Sequence, residues 1–102
     1  METDRFDSEL GEVSVSRTRI ERDRSDSEEW ERIKDNFSEE KLVDVAEFKD
    51  IEYGELEDGS IYPNIRLEID GEWKRMFFHV GDDVQECFTR LKYRWRAFQQ
   101  NH

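Results

Sequence analysis

The fold is organised by residues 81–100, which read GDDVQECFTRLKYRWRAFQQ. Apolar side chains recur there every three or four positions, which predicts an amphipathic helix with one broad apolar stripe. The stripe consists of Val84, Cys87, Phe88, Leu91, Trp95 and Phe98. Asp82 and Asp83 precede it, where a capping carboxylate and a negative charge stabilise a helix N-terminus. A helix this rich in aromatic side chains needs a sheet or another helix to pack against.

The composition is strongly acidic. The chain has 102 residues, which predicts one domain, and its formal net charge is -11, with 27 acids facing 11 Arg and 5 Lys. This charge argues against polyanion binding by the surface as a whole. Abundant acid with scarce Lys is similar to the composition of haloarchaeal cytoplasmic proteins, in which hydrated carboxylates keep surfaces apart. We therefore expect a halophile protein, with an ordinary acidic protein as the alternative.

The single cysteine and the hydropathy pattern bear on location. Cys87 lies on the apolar stripe, so we expect a buried, reduced thiol rather than a nucleophile or a metal ligand. No apolar run approaches the ~20 residues that a membrane span requires, and no signal peptide opens the chain. These observations predict a cytoplasmic protein that does not bind membranes.

The first quarter of the chain is polar. Residues 1–27 have the composition of a flexible N-terminal arm, with an edge strand over residues 12–20 as the alternative. Ser27, followed by two acids and Trp30, predicts the start of a short helix. The folded domain is therefore predicted to comprise residues 28–102.

Three strands are predicted after this helix. Residues 42–53 favour a strand, with a bulge either where the alternation breaks between Val45 and Phe48 or near Gly54. Asp70-Gly71, between two alternating runs, predicts a hairpin with a type I′ turn. Its register places one apolar set on a single face: Ile61, Ile65, Leu67, Ile69, Met76, Phe78 and Val80. The predicted fold class is α+β, an antiparallel sheet of three or more strands packed against a C-terminal amphipathic helix, with a short N-terminal helix.

The other face of the hairpin carries aromatic rings and two cations. The register places Arg66 directly opposite Arg75, which is unfavourable unless an anion or a carboxylate lies between them. Exposed rings on this face would form a large apolar patch, so we expect the Trp30 helix, the N-terminal arm or a second subunit to cover it. Because Trp, Tyr and Arg dominate binding hot spots, the predicted partner-binding residues are Tyr62, Arg66, Trp73, Arg75, Phe77 and, on the C-terminal helix, Tyr93.

No nucleophilic triad, phosphate loop or metal cluster can be assembled from two histidines and one cysteine. We therefore expect a non-enzymatic protein without a cofactor or metal. The leading prediction is a protein-interaction or self-association module, with a partner protein or a homodimer at the hairpin face. The alternative is a nucleic-acid-binding protein that uses the basic residues of the last helix, Arg90, Lys92, Arg94 and Arg96. These four flank both sides of the apolar stripe rather than forming one row.

Antiparallel strands over residues 42–80, followed by a helix that carries Phe88, Leu91 and Trp95, resemble the pleckstrin-homology-like fold. The resemblance rests on this pattern and involves no specific motif. It implies about seven strands, of which three are readable here; the others would come from the preceding residues, where we predict a helix. Such domains bind peptides or phosphoinositides. A basic loop cluster for headgroups is absent, so the resemblance implies protein interaction.

Overall fold

The computed structural model describes residues 3–25, 27–58 and 62–101. Over these ranges the chain forms seven β-strands, two α-helices and three 3₁₀ turns. The strands are β1 (Asp4–Phe6), β2 (Glu12–Val15), β3 (Arg19–Asp23), β4 (Val45–Glu47), β5 (Ile51–Glu57), β6 (Asn64–Ile69) and β7 (Glu72–Phe77). The helices are α1 (Glu28–Ile33) and α2 (Val84–Gln100), and the turns are Lys34–Asn36, Glu39–Lys41 and Phe48–Asp50. The predicted α+β class is confirmed.

The strands form two antiparallel sheets, a first sheet in the order β1-β2-β3-β4 and a second in the order β5-β6-β7. One core joins both sheets to α2, whose buried residues are Val84, Cys87 and Leu91. The larger rings of the stripe, Phe88, Trp95 and Phe98, are half-buried and pack against the edge of this core. In the described ranges, no helix is long and apolar enough to cross a bilayer.

The structure corrects the expectation of a flexible arm, because residues 4–23 supply three of the strands in the first sheet. Leu10, Val13 and Ile20 are fully buried. Gly11 has a φ of +115°, and a Cβ there would lie 2.3 Å from the carbonyl oxygen of Asp23. The segment is therefore packed closely against β3, and at Gly11 only glycine fits without strain.

The start of α1 agrees with the sequence. Ser27 is the N-cap, and its side chain accepts a hydrogen bond of 3.0 Å from the backbone N–H of Trp30. The hydroxyl of Ser27 also donates to the carbonyl oxygen of Glu9, at 2.7 Å. One side chain thus caps the helix and joins it to the segment between β1 and β2.

The break between Val45 and Phe48 is a crossing between sheets rather than a bulge. β4 ends at Glu47 in the first sheet, and a 3₁₀ turn leads into β5 of the second sheet. Phe48 is 2% exposed and is part of the core. The alternative position, near Gly54, agrees with the structure, because the register of β5 shifts between Ile51 and Tyr53. The predicted single strand over residues 42–53 is therefore two short strands in different sheets.

The hairpin of β6 and β7 has the predicted register, including the opposed pair Arg66 and Arg75. Asp70 and Gly71 have φ values of +54° and +81°, as a type I′ turn requires. Of the predicted apolar face, Ile61 lies outside the described residues. Val80 is 63% exposed, because β7 ends at Phe77 and the chain leaves the sheet before α2 begins.

Candidate functional site

The predicted partner-binding residues fall into three places. Tyr62 and Phe77 lie at one end of the hairpin face, under α1 and the turn that follows it. Arg66, Trp73 and Arg75 lie at the other end, which is open. Tyr93 lies on the outer side of α2 and is 69% exposed. The structure therefore does not bring the six residues together into one site.

Aromatic packing covers the first end of the hairpin face. The ring of Phe37 lies 4.4 Å from that of Phe77 and 5.5 Å from that of Tyr62, measured between centroids. Trp30 stacks on Phe37 at 5.8 Å, and buried Leu10 belongs to the same cluster. The cover is thus intramolecular at this end, and both α1 and the N-terminal segment contribute to it.

A carboxylate lies between the two opposed arginines, as the sequence required. The Oε1 atom of Glu57 is 3.1 Å from Nη2 of Arg75 and 3.4 Å from Nε of Arg66. Glu55, directly opposite Arg66 on β5, also forms an ion pair with it. The repulsion is therefore compensated within one molecule, and a homodimer through the hairpin face is not needed to relieve it.

The open end of this face carries two exposed aromatic side chains. Trp73 is 37% exposed and Tyr53 is 52% exposed, with their rings in an edge-to-face contact at 5.8 Å. The guanidinium of Arg66 lies 4.2 Å from the centroid of the Trp73 ring. We call Tyr53, Arg66, Trp73 and Arg75 the open patch. Glu55 and Glu57 of β5 pair with its two arginines, and Arg66 stacks on Trp73.

Sequence reasoning missed Tyr53. β5 joins the hairpin face because Tyr53 pairs with Glu68 and Glu55 pairs with Arg66. The alternation of β5 would have placed Tyr53, Glu55 and Glu57 on one face. The register shift after Ile51 hides this alternation in the sequence, because residues before the shift and residues after it do not follow one continuous inward–outward alternation.

The basic residues of α2 point in different directions and are partly paired. Arg94 forms an ion pair of 2.9 Å with Asp4, and its side chain is 14% exposed. Arg90 lies 3.4 Å from Glu86, and Lys92 lies over the ring of Phe88. In the part of the chain that the structure describes, Arg96 forms no ion pair. The four residues do not make a common anion-binding row.

A groove runs between α2 and the turn that joins β2 to β3. Its volume is about 550 Å³, and we call it the helix groove. The residues that line it are Arg17, Thr18, Tyr93, Arg94, Ala97, Phe98 and Asn101. Asp and Glu are absent from this lining within the described ranges, although the chain carries a net charge of -11.

Arg22 was not singled out from the sequence, yet it is the most buried cation. It is 8% exposed, its Nη1 donates to the carbonyl oxygen of Phe77, and its guanidinium lies 4.6 Å from the ring centroid of Phe78. Burial lowers the pKa of Arg22 to about 10, although nearby Asp44 opposes the change. Its Nε and Nη2 atoms are buried without a hydrogen-bond partner among the described residues. Arg22 thus joins β3 to β7 across the core.

Two groups remain that could take part in chemistry. Burial raises the pKa of Cys87 to about 12, so its thiol stays protonated, as the buried thiol that the sequence predicted. His79 lies 3.7 Å from Glu29, between its Nε2 and a carboxylate oxygen. Among the described residues, no three His, Cys, Asp or Glu side chains are placed to hold a metal ion. Comparisons of this chain with protein families, curated proteins and solved structures found no match.

Proposed function

We propose that this chain is a non-enzymatic protein-interaction module that docks a partner protein, or a second copy of itself, through the open patch. The observation that carries the proposal is the exposed pair of Tyr53 and Trp73, in contact with each other on the second sheet. Aromatic rings with a stacked arginine supply large contact area at low cost in conformational entropy, and such residues dominate binding hot spots.

The electrostatics of the open patch favour a protein partner. Arg66 and Arg75 are already engaged by Glu55 and Glu57. An anion would therefore compete with carboxylates that are fixed next to the same cations. An apolar or aromatic side chain of a partner meets no such competition at Trp73, because it would pack on the exposed rings.

The strand count also supports a pleckstrin-homology-like domain, which we propose for this chain. The described residues contain seven strands, in sheets of four and three, followed by the C-terminal helix α2. This is the number that the resemblance implies. The family likeness implies peptide binding in general terms and assigns no residue of this chain to it.

We propose further that the protein works in the cytoplasm of a halophile. The support is compositional, since 27 acids face only 5 Lys. The nucleic-acid alternative has weaker support. Arg90 and Arg94 are engaged by Glu86 and Asp4, and the net charge of -11 repels a polyanion.

Selection from a displayed peptide library tests the proposed function. Peptides retained by the wild-type chain should be lost with Tyr53→Ser and with Trp73→Ser. Val80→Ser is the matched control, because Val80 is an exposed apolar residue outside the open patch. Circular dichroism must show that the variants keep the wild-type fold.

Sedimentation equilibrium provides the second measurement. Self-association through the open patch should be lost with Trp73→Ser and kept with Val80→Ser. If no peptide is selected and the wild type sediments as a monomer at about 0.5 mM, a range in which weak contacts are still populated, the proposed function is wrong.

A further inference from the structure

The helix groove differs from the rest of this surface in its charge. The chain carries 27 acids, so carboxylates are expected to line any groove taken at random. The cleft beside α1, for example, is lined by five acids with a single Arg. The lining of the helix groove instead includes Arg17 and Arg94 and, within the described residues, contains no acid.

Most of the polar groups in the helix groove can donate hydrogen bonds. Arg17 is exposed and, among the described residues, forms no ion pair. Tyr93, Thr18 and Asn101 add two hydroxyl groups and an amide. Guanidinium groups match carboxylates in geometry and charge, and they carry donors only. Arg94 is held by Asp4 at 2.9 Å, which fixes its position in the groove.

The groove also has an apolar wall. Ala97 and Phe98 line it beside the ring of Tyr93, which is 69% exposed. A groove of about 550 Å³ accommodates a few side chains rather than a long polymer. The groove therefore offers a place for one apolar or aromatic side chain next to groups that bind carboxylates.

We propose that the helix groove binds a short acidic segment of a partner protein, with carboxylates at Arg17 and an aromatic or aliphatic side chain on the wall formed by Ala97 and Phe98. We choose an acidic partner because its carboxylates complement the positive charge of the groove. This proposal deepens the proposed function and rests on it, but it uses a surface separate from the open patch.

Nucleic acid fits the groove less well than a peptide does. Single-stranded binders follow the backbone over several nucleotides with a continuous row of cations and stacking rings. Here Lys92 and Arg96 lie outside the groove lining, and a chain with a net charge of -11 repels a long polyanion beyond the local contact. An acidic peptide carries less charge than a nucleic acid with the same number of units, so this repulsion is smaller for the peptide.

The test is a fluorescence-anisotropy titration with a labelled twelve-residue peptide, two copies of Glu-Glu-Tyr-Glu-Leu-Glu. All variants are compared at one salt concentration at which their circular dichroism spectra match that of the wild type. Arg17→Glu should raise the Kd at least tenfold, and Tyr93→Ala should raise it as well. Lys92→Glu makes the same change of charge outside the groove, and it should raise the Kd less than threefold.

Several outcomes would overturn the proposal. They are equal effects of Arg17→Glu and Lys92→Glu, tighter binding of a twelve-nucleotide oligothymidylate than of the peptide, and no binding of the peptide at 1 mM. Self-association of the wild type that Arg17→Glu abolishes would identify a second copy as the occupant instead.

Trp73→Ser separates the two proposals. It should leave the Kd of the acidic peptide unchanged if the helix groove is the site. If this variant abolishes peptide binding while Arg17→Glu does not, the open patch is the site and the groove proposal is wrong. In that case the proposed function stands.

Discussion

Replacing Arg22 with Met is expected to leave the free energy of unfolding within about 1 kcal/mol of the wild-type value, because a buried cation without full pairing contributes little net stability. Arg22→Ala should lower the free energy of unfolding by about 3 kcal/mol, because it also leaves a cavity. The prediction is that the two variants differ in their free energy of unfolding, with Arg22→Ala much less stable than Arg22→Met. It tests whether the guanidinium or the volume of the side chain holds β3 against β7.

The expected values come from opposing contributions. The pKa of Arg22 falls to about 10 on burial, so keeping it charged in the fold at neutral pH costs about 3 kcal/mol. Arg22→Met removes this cost. It loses the hydrogen bond to the part-buried carbonyl oxygen of Phe77, and the loss of this partner costs about 1–3 kcal/mol. It also loses the contact with Phe78, which is worth about 1 kcal/mol.

Urea unfolding followed by tryptophan fluorescence at pH 7 gives the free energies by linear extrapolation. A second comparison uses pH. The folded guanidinium begins to lose its proton near pH 10, before the unfolded one does. The stability of the wild type relative to Arg22→Met should therefore rise above pH 10, by ~1.4 kcal/mol per pH unit. A loss of 3 kcal/mol or more in Arg22→Met at pH 7, or a flat difference between pH 9 and 11, would refute the reasoning.

Three further outcomes are expected. Above pH 9 the thiol of Cys87 ionises in the unfolded chain but stays protonated in the folded one, where its pKa is about 12. The free energy of unfolding of the wild type, relative to that of Cys87→Ala, should therefore fall by ~1.4 kcal/mol per pH unit in urea unfolding. A difference that does not change with pH would contradict this. Leu91 is 1% exposed, so Leu91→Ala should lower the free energy of unfolding by about 3 kcal/mol and the melting temperature by ~12–24 °C. Tyr93 is exposed, so Tyr93→Ala should change the free energy of unfolding by less than about 0.5 kcal/mol. Equal melting temperatures for the two variants would show that α2 is not part of the core. If the protein is halophilic, raising KCl from 50 mM to 2 M should raise the melting temperature measured by circular dichroism, because the Debye length shortens to ~3 Å near 1 M and screens the acids; equal melting temperatures would contradict the halophile proposal.

The hairpin of β6 and β7 and the helix α2 could be predicted from the sequence, because a single local signal fixes each of them. Asp70-Gly71 determines the turn, and the turn determines every pair in the hairpin. The period of the apolar stripe determines which face of α2 is buried. Signals of this kind do not depend on distant parts of the chain.

The first sheet could not be predicted, because its strands are short and its inward positions are not all apolar. β1 has three residues and β2 has four. In β3 the inward residues are Ile20 and Arg22, so a charged side chain occupies a core position between exposed charges. The alternation of apolar and polar residues along β3 is then almost invisible in the sequence. The buried position of Arg22 depends on Phe77 and Phe78, which lie more than fifty residues away.

Only part of the candidate site could be predicted from the sequence, because some of its residues are placed by the hairpin and others by pairing with a distant strand. The opposition of Arg66 and Arg75 follows from the hairpin alone, and so does the need for a carboxylate between them. The identity of that carboxylate, Glu57, depends on β5, whose register is shifted after Ile51. Long-range strand pairing therefore decided which residues complete the site.

The two proposed surfaces select their partners by different chemistry, and the arrangement of charges explains the difference. At the open patch the cations are neutralised within the molecule by Glu55 and Glu57, so a partner gains mainly from packing on Tyr53 and Trp73. Binding there should depend weakly on salt, since buried apolar contact is not screened. At the helix groove Arg17 has no such internal carboxylate among the described residues, so a partner gains from charge and binding should weaken as salt is added. Added KCl should therefore release an acidic partner from the helix groove while an apolar partner stays bound at the open patch.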